Sequence, residues 1–451
     1  MAAVAGARAE AGVKAGRGEE GRKASLLFVN QHYWPDVAST GQHLADLAEY
    51  LAAEGHDVSV LASRGRYVKG KVPAPLAETH NGVKIRRVRT TGFGRARHLG
   101  RLMDYASFYL QALGALIGAT RYDGVIVLTT PPLLSFLGAI AKRLRGQPYG
   151  VWSMDLHPDA EIASGMLEAG SLPARVLEWM NGVGYRQADF VVDLGLHMKA
   201  RIVAKGVDPK RTETVHVWNR KEEVEPTPRD ANPIIDELGL RDKFVVMYSG
   251  NAGLVHEFGP ILDAMRITRD DPGLYWLFVG DGPRRVEIER FIAAEGISNA
   301  RYRGYFPREQ LRYSLSVGDA HLISLRPRFV GISVPGKLYG IMASGRPAIF
   351  VGPRTSESGE TVIEAGCGVV IDPAVDRAGG GEAIAEVVRG WAAAPGAARA
   401  IGARGRAAFL ASYERERCCD AFSTVIEKHW ASRWRPGSSS QARTIPASRP
   451  T

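Results

Sequence analysis

Cysteine is scarce in this chain: Cys367, Cys418 and Cys419 are all there are among 451 residues. An odd, sparse set with no metal-ligand spacing argues against a disulfide framework or a cysteine-built metal site, and it suits a reducing compartment. Long apolar runs are missing too. No stretch approaches the roughly 20 uninterrupted apolar residues that a membrane-spanning helix needs. The first 24 residues, rich in Ala, Gly, Arg and Glu, lack the apolar core of a signal peptide and read as a disordered leader. There is no strict Gly-x-Gly-x-x-Gly fingerprint, so a tightly held dinucleotide is not supported. No internal repeat of solenoid length is present.

What remains is ordinary globular material, 45% hydrophobic and 24% charged, in a chain long enough for two or three domains. The net charge of +10 is unevenly placed. KIRRVRTTGFGRARHLGR (84–101) holds seven basic residues and no acid. Nucleic acid, anionic lipid or a solvated face can each explain such a run.

Taken in order, SLLFVNQHYWP (25–35) reads as a strand entering a loop, and Ser39-Thr40-Gly41 as the cap of a helix that ends near Gly55. DVSVLAS (57–63), Val83 to Val88 and GVIVLTTPP (124–132) are further strands, and a helix is expected from about Leu102 to Ala119. The helix expected over 133–145 is apolar along most of its length and basic at its end, which fits core packing or a membrane-surface face. PYGVWSMDLHPDAEIASGML (148–167) delivers Asp155, His157 and Asp159 into one loop at a strand end, where acid-base or hydroxyl-orienting chemistry is placed. DFVVDLG (189–195) closes this series. Residues 216–233, with three prolines and many charges, read as an interdomain linker.

The rhythm then restarts. KFVVMYSGNAG (243–253) and LYWLFVGDGP (274–283) are strands running into glycine loops, and HLISL (321–325) precedes Val334-Pro335-Gly336-Lys337. That turn opens a helix, and a lysine beside free backbone N–H groups suits a phosphate as well as it suits solvent. AIFV (348–351) follows as a buried strand, and helices end the fold. Two successive βα arrays predict two Rossmann-like domains facing a cleft.

In this order HYWPDVASTG, DLHPD, HVWN, YSGNAGLVHEF, FVGDGP, RGYFPREQL and VPGKLYGIMASGRP resemble the family 4 retaining glycosyltransferases of the GT-B fold, especially the bacterial surface-polysaccharide (O-antigen and colanic-acid-type) branch. The resemblance covers roughly residues 25–430. It implies a leader (1–24), an N-terminal acceptor domain (25–215), a linker (216–233), a C-terminal nucleotide-sugar domain (234–412), a helix crossing back to the first domain (413–433) and a disordered tail (434–451). The implied donor is a nucleotide sugar, expected to be a UDP-sugar with a hexosyl or N-acetylhexosaminyl group. The implied acceptor is a lipid-linked saccharide at the cytoplasmic face of the membrane, with 84–101 as a contact to anionic lipid and no role for nucleic acid.

By the same resemblance the base lies near Gly304, Tyr305 and Phe306, and the diphosphate near Gly250, Asn251 and Lys337. Thr40 and Gly41 close over the phosphates, and Asp155 or His157 meets the reacting sugar or acceptor hydroxyl. No metal or other cofactor is expected, because helix N-termini and basic side chains neutralise the leaving diphosphate. Two departures stand out. The family's paired glutamates fall here on Ile332 and Gly340, for which Glu357, Glu360 or Glu364 could substitute, and Glu360 is taken as a donor-site residue. The glycine loop carries Asn251 and His256 where basic residues are common, which shifts phosphate charge to Lys337 and to Arg326 or Arg328.

Overall fold

The computed structural model describes residues 23–36, 38–65, 74–91, 98–118 and 120–434. Its first sheet has eight strands: β1 (Ser25–Val29), β2 (Asp57–Ser63), β3 (Ala77–His80), β4 (Val83–Val88), β5 (Gly124–Val127), β6 (Tyr149–Trp152), β7 (Val191–Asp193) and β8 (Thr212–Thr214). They lie in the order β3-β4-β2-β1-β5-β6-β7-β8 and are parallel except for the β3–β4 hairpin. That hairpin turns on Asn81-Gly82, both at positive φ (48° and 80°), the conformation a two-residue turn demands. The second sheet is wholly parallel: β9 (Phe244–Ser249), β10 (Leu274–Val279), β11 (Ala300–Arg303), β12 (Ala320–Ser324), β13 (Ala348–Val351) and β14 (Gly368–Ile371), in the order β11-β10-β9-β12-β13-β14.

Strands β5, β6 and β7 are buried along their whole length, as a parallel sheet covered on both faces requires. In each sheet the chain leaves a central strand to one side and later returns to the other, at β1 between β2 and β5 and at β9 between β10 and β12. A crevice opens outside the carboxyl ends of the strands at such a reversal, and ligands settle there. The loops after β1, β6, β9 and β12 are therefore where a site is to be sought.

The first series does not end at 189–195. Strand β8 continues it, a polar Thr-Glu-Thr at the sheet edge with no apolar run to announce it. Segment 216–233 is packed rather than loose, with Val217, Trp218, Val224 and Thr227 buried. Trp218 Nε1 donates to Asp46 Oδ2 (2.9 Å) and Arg220 Nε to Asp46 Oδ1 (2.7 Å), so its charges are internal partners. The last long helix, Arg415–Trp430, returns to the first sheet. Arg415 donates to Asp46 O (3.0 Å), Trp430 Nε1 donates to Asp189 Oδ2 (2.9 Å), and the Trp430 ring fills the space a Cβ on Gly124 would take.

In the described part of the basic run 84–101, two of the charges are paired within the sheet. Within β4, Lys84 pairs with Asp57 (2.7 Å), while Arg87 is buried against Glu78 (2.5 Å). Residues 92–97 lie outside the described residues, as do 1–22 of the leader and 435–451 of the tail. Among the described residues no helix is long and apolar enough to cross a membrane.

Candidate active site

Lys337 is the best-defined feature of the cleft. Its helix, Lys337–Ala343, starts without a side-chain cap, and the lysine folds back toward the loop after β9. Its ammonium donates to the Tyr248 hydroxyl and to Asn251 O (3.0 Å) and lies 3.1 Å from His256 Nε2. All three partners are neutral. Gly250, at φ +127°, makes the approach possible, because a Cβ there would stand 2.7 Å from Lys337 Cε. Gly280 and Gly282 do the same one strand over: a Cβ on either would strike the 250–252 backbone, so the two glycine loops stack directly.

The electrostatics follow from this geometry. Desolvation pushes the Lys337 ammonium well below its ordinary 10.5. Burial, reinforced by the Lys337, Arg284 and Arg326 charges, lowers His256 to about 3, so its ring is neutral at pH 7. Its Nδ1 faces Ser324 O (2.6 Å) and donates there, which leaves Nε2 as the acceptor beside Lys337. Arg284 is paired with Glu287 (2.7 Å between Nε and Oε2) and Arg326 with Glu257 (3.3 Å). A cationic corner with an ammonium lacking a carboxylate is built to receive an anion.

On the other wall, β6 ends in Ser153–Asp155. Ser333, four residues before Lys337, forms a two-residue antiparallel bridge with Asp155, and Leu156 N donates to Ile332 O (3.0 Å). One short segment thus touches the Asp155 loop at one end and the Gly250 loop at the other. Burial raises the Asp155 carboxyl above its usual range, partly offset by the His157 charge and a hydrogen bond to Ser333. His157 Nδ1 is held by both oxygens of Glu161 (2.8 and 3.0 Å), one helical turn on. Burial works against its charge, but Glu161, Asp155 and Asp159 together hold its pKa above the ordinary value. Asp159 itself is drawn off by Lys205 (2.8 Å).

The domains also meet beside this wall. The buried Glu357 carboxylate accepts from His197 N (3.1 Å) at the start of the Leu196–Ala204 helix, and Glu360 pairs with His197 Nε2 (3.1 Å). Gly195 makes room, since a Cβ on it would fall 1.5 Å from Glu357 Oε1. Gly195→Ala should therefore expel Glu357 and loosen the closed arrangement. The expected result is a larger radius of gyration in small-angle scattering, unchanged helix content and transfer reduced about tenfold or more, because an ångström of misplacement at a reacting centre is costly. An unchanged scattering profile would count against the contact.

The predicted residues divide as follows. Gly250, Asn251 and Lys337 come together, and Asp155 is tied to the Lys337 segment through its bridge to Ser333, with His157 two residues further on. Thr40 and Gly41 lie in the first turn of the Ser39–Ala53 helix, which has Ala38 at its cap and no side-chain cap, contrary to the capping expected of Ser39-Thr40-Gly41. A Cβ on Gly41 would stand 3.0 Å from His32 O, so glycine lets the helix start sit on the loop after β1. From there the link to Lys337 runs through the linker: His43 Nε2 lies 3.2 Å from Trp218 O, and Gly336 and Gly340 lie against Val217 and Asn219. Gly304, Tyr305 and Phe306 follow β11 on the same carboxyl edge, two strands from Gly250. Tyr305 is exposed, and the Arg303 guanidinium stacks 3.5 Å over the Phe306 ring. Glu360 is engaged by His197 rather than turned to the glycine loops.

Ile332 is buried at the domain contact, and Gly340 is buried with room for a Cβ 3.5 Å from Asn219 Nδ2. Neither position brings a carboxylate to the cleft. Tyr248, Ser333, Gly195 and Glu161 are the contributors that sequence reasoning missed. Glu161 had a signal in its i,i+4 spacing from His157, whereas Tyr248 is hidden inside an apolar strand.

Comparison with known proteins agrees with this architecture. Residues 40–218 match the model of the glycosyl transferase 4-like domain. The chain is 27% identical over 250 residues to the protein named "Probable glycosyltransferase WbjE" of Pseudomonas aeruginosa, an alignment covering 55% of this chain and 62% of that one. It is 23% identical over 350 residues to "Putative colanic acid biosynthesis glycosyl transferase WcaI" of Escherichia coli K12, covering 74% of this chain and 85% of that one. Among solved structures, the Anabaena protein HepE in complex with UDP-glucose superposes with a TM-score of 0.66 at 14% identity, over 90% of this chain and all of that one. Two parallel sheets facing a cleft give the chain the GT-B fold, and its first domain matches the glycosyl transferase 4-like domain.

Proposed function

We propose that this chain transfers a hexosyl or N-acetylhexosaminyl group from a UDP-sugar to a lipid-linked saccharide, with retention of configuration, in surface-polysaccharide synthesis at the cytoplasmic face of the membrane. The observation that carries the reading is the Lys337 ammonium, held among neutral groups at the carboxyl edge of the second sheet, on the same short segment that touches Asp155. A diphosphate seated there supplies the missing counter-charge, and the sugar it carries is directed at the Asp155–His157 loop. As the bond to the sugar breaks, negative charge grows on the leaving diphosphate, and Lys337 is positioned to stabilise it. Gly304–Phe306 offers an aromatic shelf on the same edge for the base. UDP-glucose bound to the structurally similar HepE supports the choice of donor class.

The test is calorimetric titration of UDP-, GDP- and dTDP-sugars, followed by transfer of the binding sugar to lipid-linked saccharides from membrane extracts. Failure of every nucleotide sugar to bind would sink the reading. A second reading, a nucleotide-sugar binder without transferase activity, is favoured by Ile332 and Gly340 at the carboxylate positions. It predicts donor binding with neither transfer nor hydrolysis.

A further inference from the structure

Strand β7 ends in an acid. Val191 and Val192 are buried on it, and Asp193 after them has none of its surface in solvent. A strand covered on both faces has no use for a charge, so the carboxylate has to be explained by what it holds. Its Oδ1 accepts from Gly195 N (2.9 Å) and from the Thr214 hydroxyl on β8 (2.9 Å). Its Oδ2 is buried with no hydrogen-bond partner among the described residues.

Gly195, whose amide Asp193 holds, is also the residue that leaves room for Glu357 of the second domain. Two carboxylates from opposite domains thus converge on one glycine: Asp193 takes its N–H, and Glu357 Oε1 lies where its Cβ would be. The Leu196–Ala204 helix starts there, and His197 N goes to Glu357.

The groups around the pair do not neutralise it. Lys199, on the same helix, acts on Asp193 through space rather than through a hydrogen bond. The His197 ring is taken by Glu360, and Arg201 Nε donates to Val330 O (2.7 Å). On the β6 side Ser153 N donates to Val192 O (2.8 Å), and beyond β8 His216 Nδ1 lies 3.1 Å from Leu194 O. Burial, reinforced by Glu357, raises the Asp193 carboxyl to about 7 against the pull of Thr214, Gly195 N and Lys199. Burial also raises Glu357, with Glu360 adding to it and His197 opposing it. An ionised Asp193 leaves one oxygen dry beside a second carboxylate, and both costs are relieved when the domains part and water enters.

We propose that Asp193 is a positioning residue that seats the second domain on the first in its protonated form: it holds the Gly195 turn against Glu357, and its ionisation unseats Glu357 and opens the contact. The domain contact stands on its own observations, and only its consequence for transfer rests on the function proposed above.

The sign follows from linkage. The closed arrangement binds the Asp193 proton more tightly than the open one, so closure is fully present at low pH and is lost as the pH rises to about 7. Above that both arrangements are ionised and no further change follows. The test is small-angle scattering of the full chain without substrate, from about pH 5.5 to 9, with the closing equilibrium changing by up to about tenfold per unit, the limit for one proton. The wild-type radius of gyration is expected to rise toward neutral pH and then level off. Asp193→Asn keeps an oxygen for Gly195 N and Thr214 without the ionisation, and should stay compact throughout. Glu357→Gln removes the neighbouring charge and should move the midpoint to lower pH.

A wild-type profile that does not change with pH overturns the proposal, as does an Asp193→Asn profile that changes as wild type does. Should Asp193→Asn fail to fold, an unmoved midpoint in Glu357→Gln overturns it instead. Scattering is read without donor, and UDP-sugar titration of Asp193→Asn at low pH should match wild type. A lost pH transition with intact donor affinity therefore separates this contact from the donor site, and a failure of the donor reading leaves the scattering result standing.

Discussion

Lys337→Met is expected to weaken UDP-sugar binding on the order of 100-fold, roughly 3 kcal/mol, while the melting temperature stays level or rises. The two effects have one cause. The ammonium sits among the Tyr248 hydroxyl, Asn251 O and His256 Nε2 with no carboxylate, so its charge is costly in the free protein and valuable in the complex. Its folded pKa lies below the ordinary 10.5, so the unfolded chain binds more protons between the two values and stability rises with pH across that window. Methionine fills similar volume without the charge and removes that penalty. Binding shows the reverse sign. A diphosphate restores the counter-charge and raises the lysine pKa, so the complex takes up a proton whenever the pH exceeds the free value. Wild-type affinity should then fall with rising pH, by up to tenfold per unit, and its binding enthalpy should depend on the buffer's ionisation enthalpy. The variant should lose this lysine-linked proton uptake. A variant that binds UDP-sugar as wild type does would remove Lys337 from the phosphate role.

The parallel βα rhythm was legible because β1, β5, β9, β12 and β13 are short apolar runs closed by glycine, asparagine or proline. Strands β3 and β8 were not, since an edge strand such as Thr212–Thr214 buries too little to need apolar residues. Lys337 could be found from its turn, and Gly250 and Asn251 from theirs. Their physical relation could not, because the gap that Gly250 leaves for Lys337 Cε depends on how β9 stands against a helix far along the chain. Segment 216–233 read as an interdomain linker from its prolines and charges, which give no sign that Arg220 and Trp218 are satisfied by Asp46 on the first helix. Glu357 and Glu360 look in sequence like donor carboxylates, and only the position of Gly195 and His197 turns them into a domain contact.

His157→Ala is expected to lower the transfer rate by about 10²- to 10³-fold, the usual range for a positioned acid-base group, with UDP-sugar affinity nearly unchanged. That split sets it apart from Lys337, whose loss acts first on binding. The imidazole is clamped by Glu161 at Nδ1, which fixes the ring for whatever meets Nε2. Burial alone would lower its pKa, and the Glu161, Asp155 and Asp159 carboxylates reverse the sign. Glu161→Gln keeps the shape and a hydrogen-bonding oxygen but deletes the largest favourable charge, so the ionisation governing the rate should move to lower pH. The shift should appear in the pH profile of kcat whether the active form is the imidazolium or the neutral ring. A purely structural His157 would give a different pattern, with lower melting temperature and an unmoved pH midpoint in the Glu161 variant. Asp155→Asn then separates the two members of the pair. It removes one carboxylate acting on His157 and should shift the same midpoint in the same direction, while keeping the antiparallel bridge to Ser333, which is made by the backbone. If both substitutions move the midpoint acidward and leave donor affinity intact, the Asp155 and Glu161 carboxylates together set the ionisation of His157.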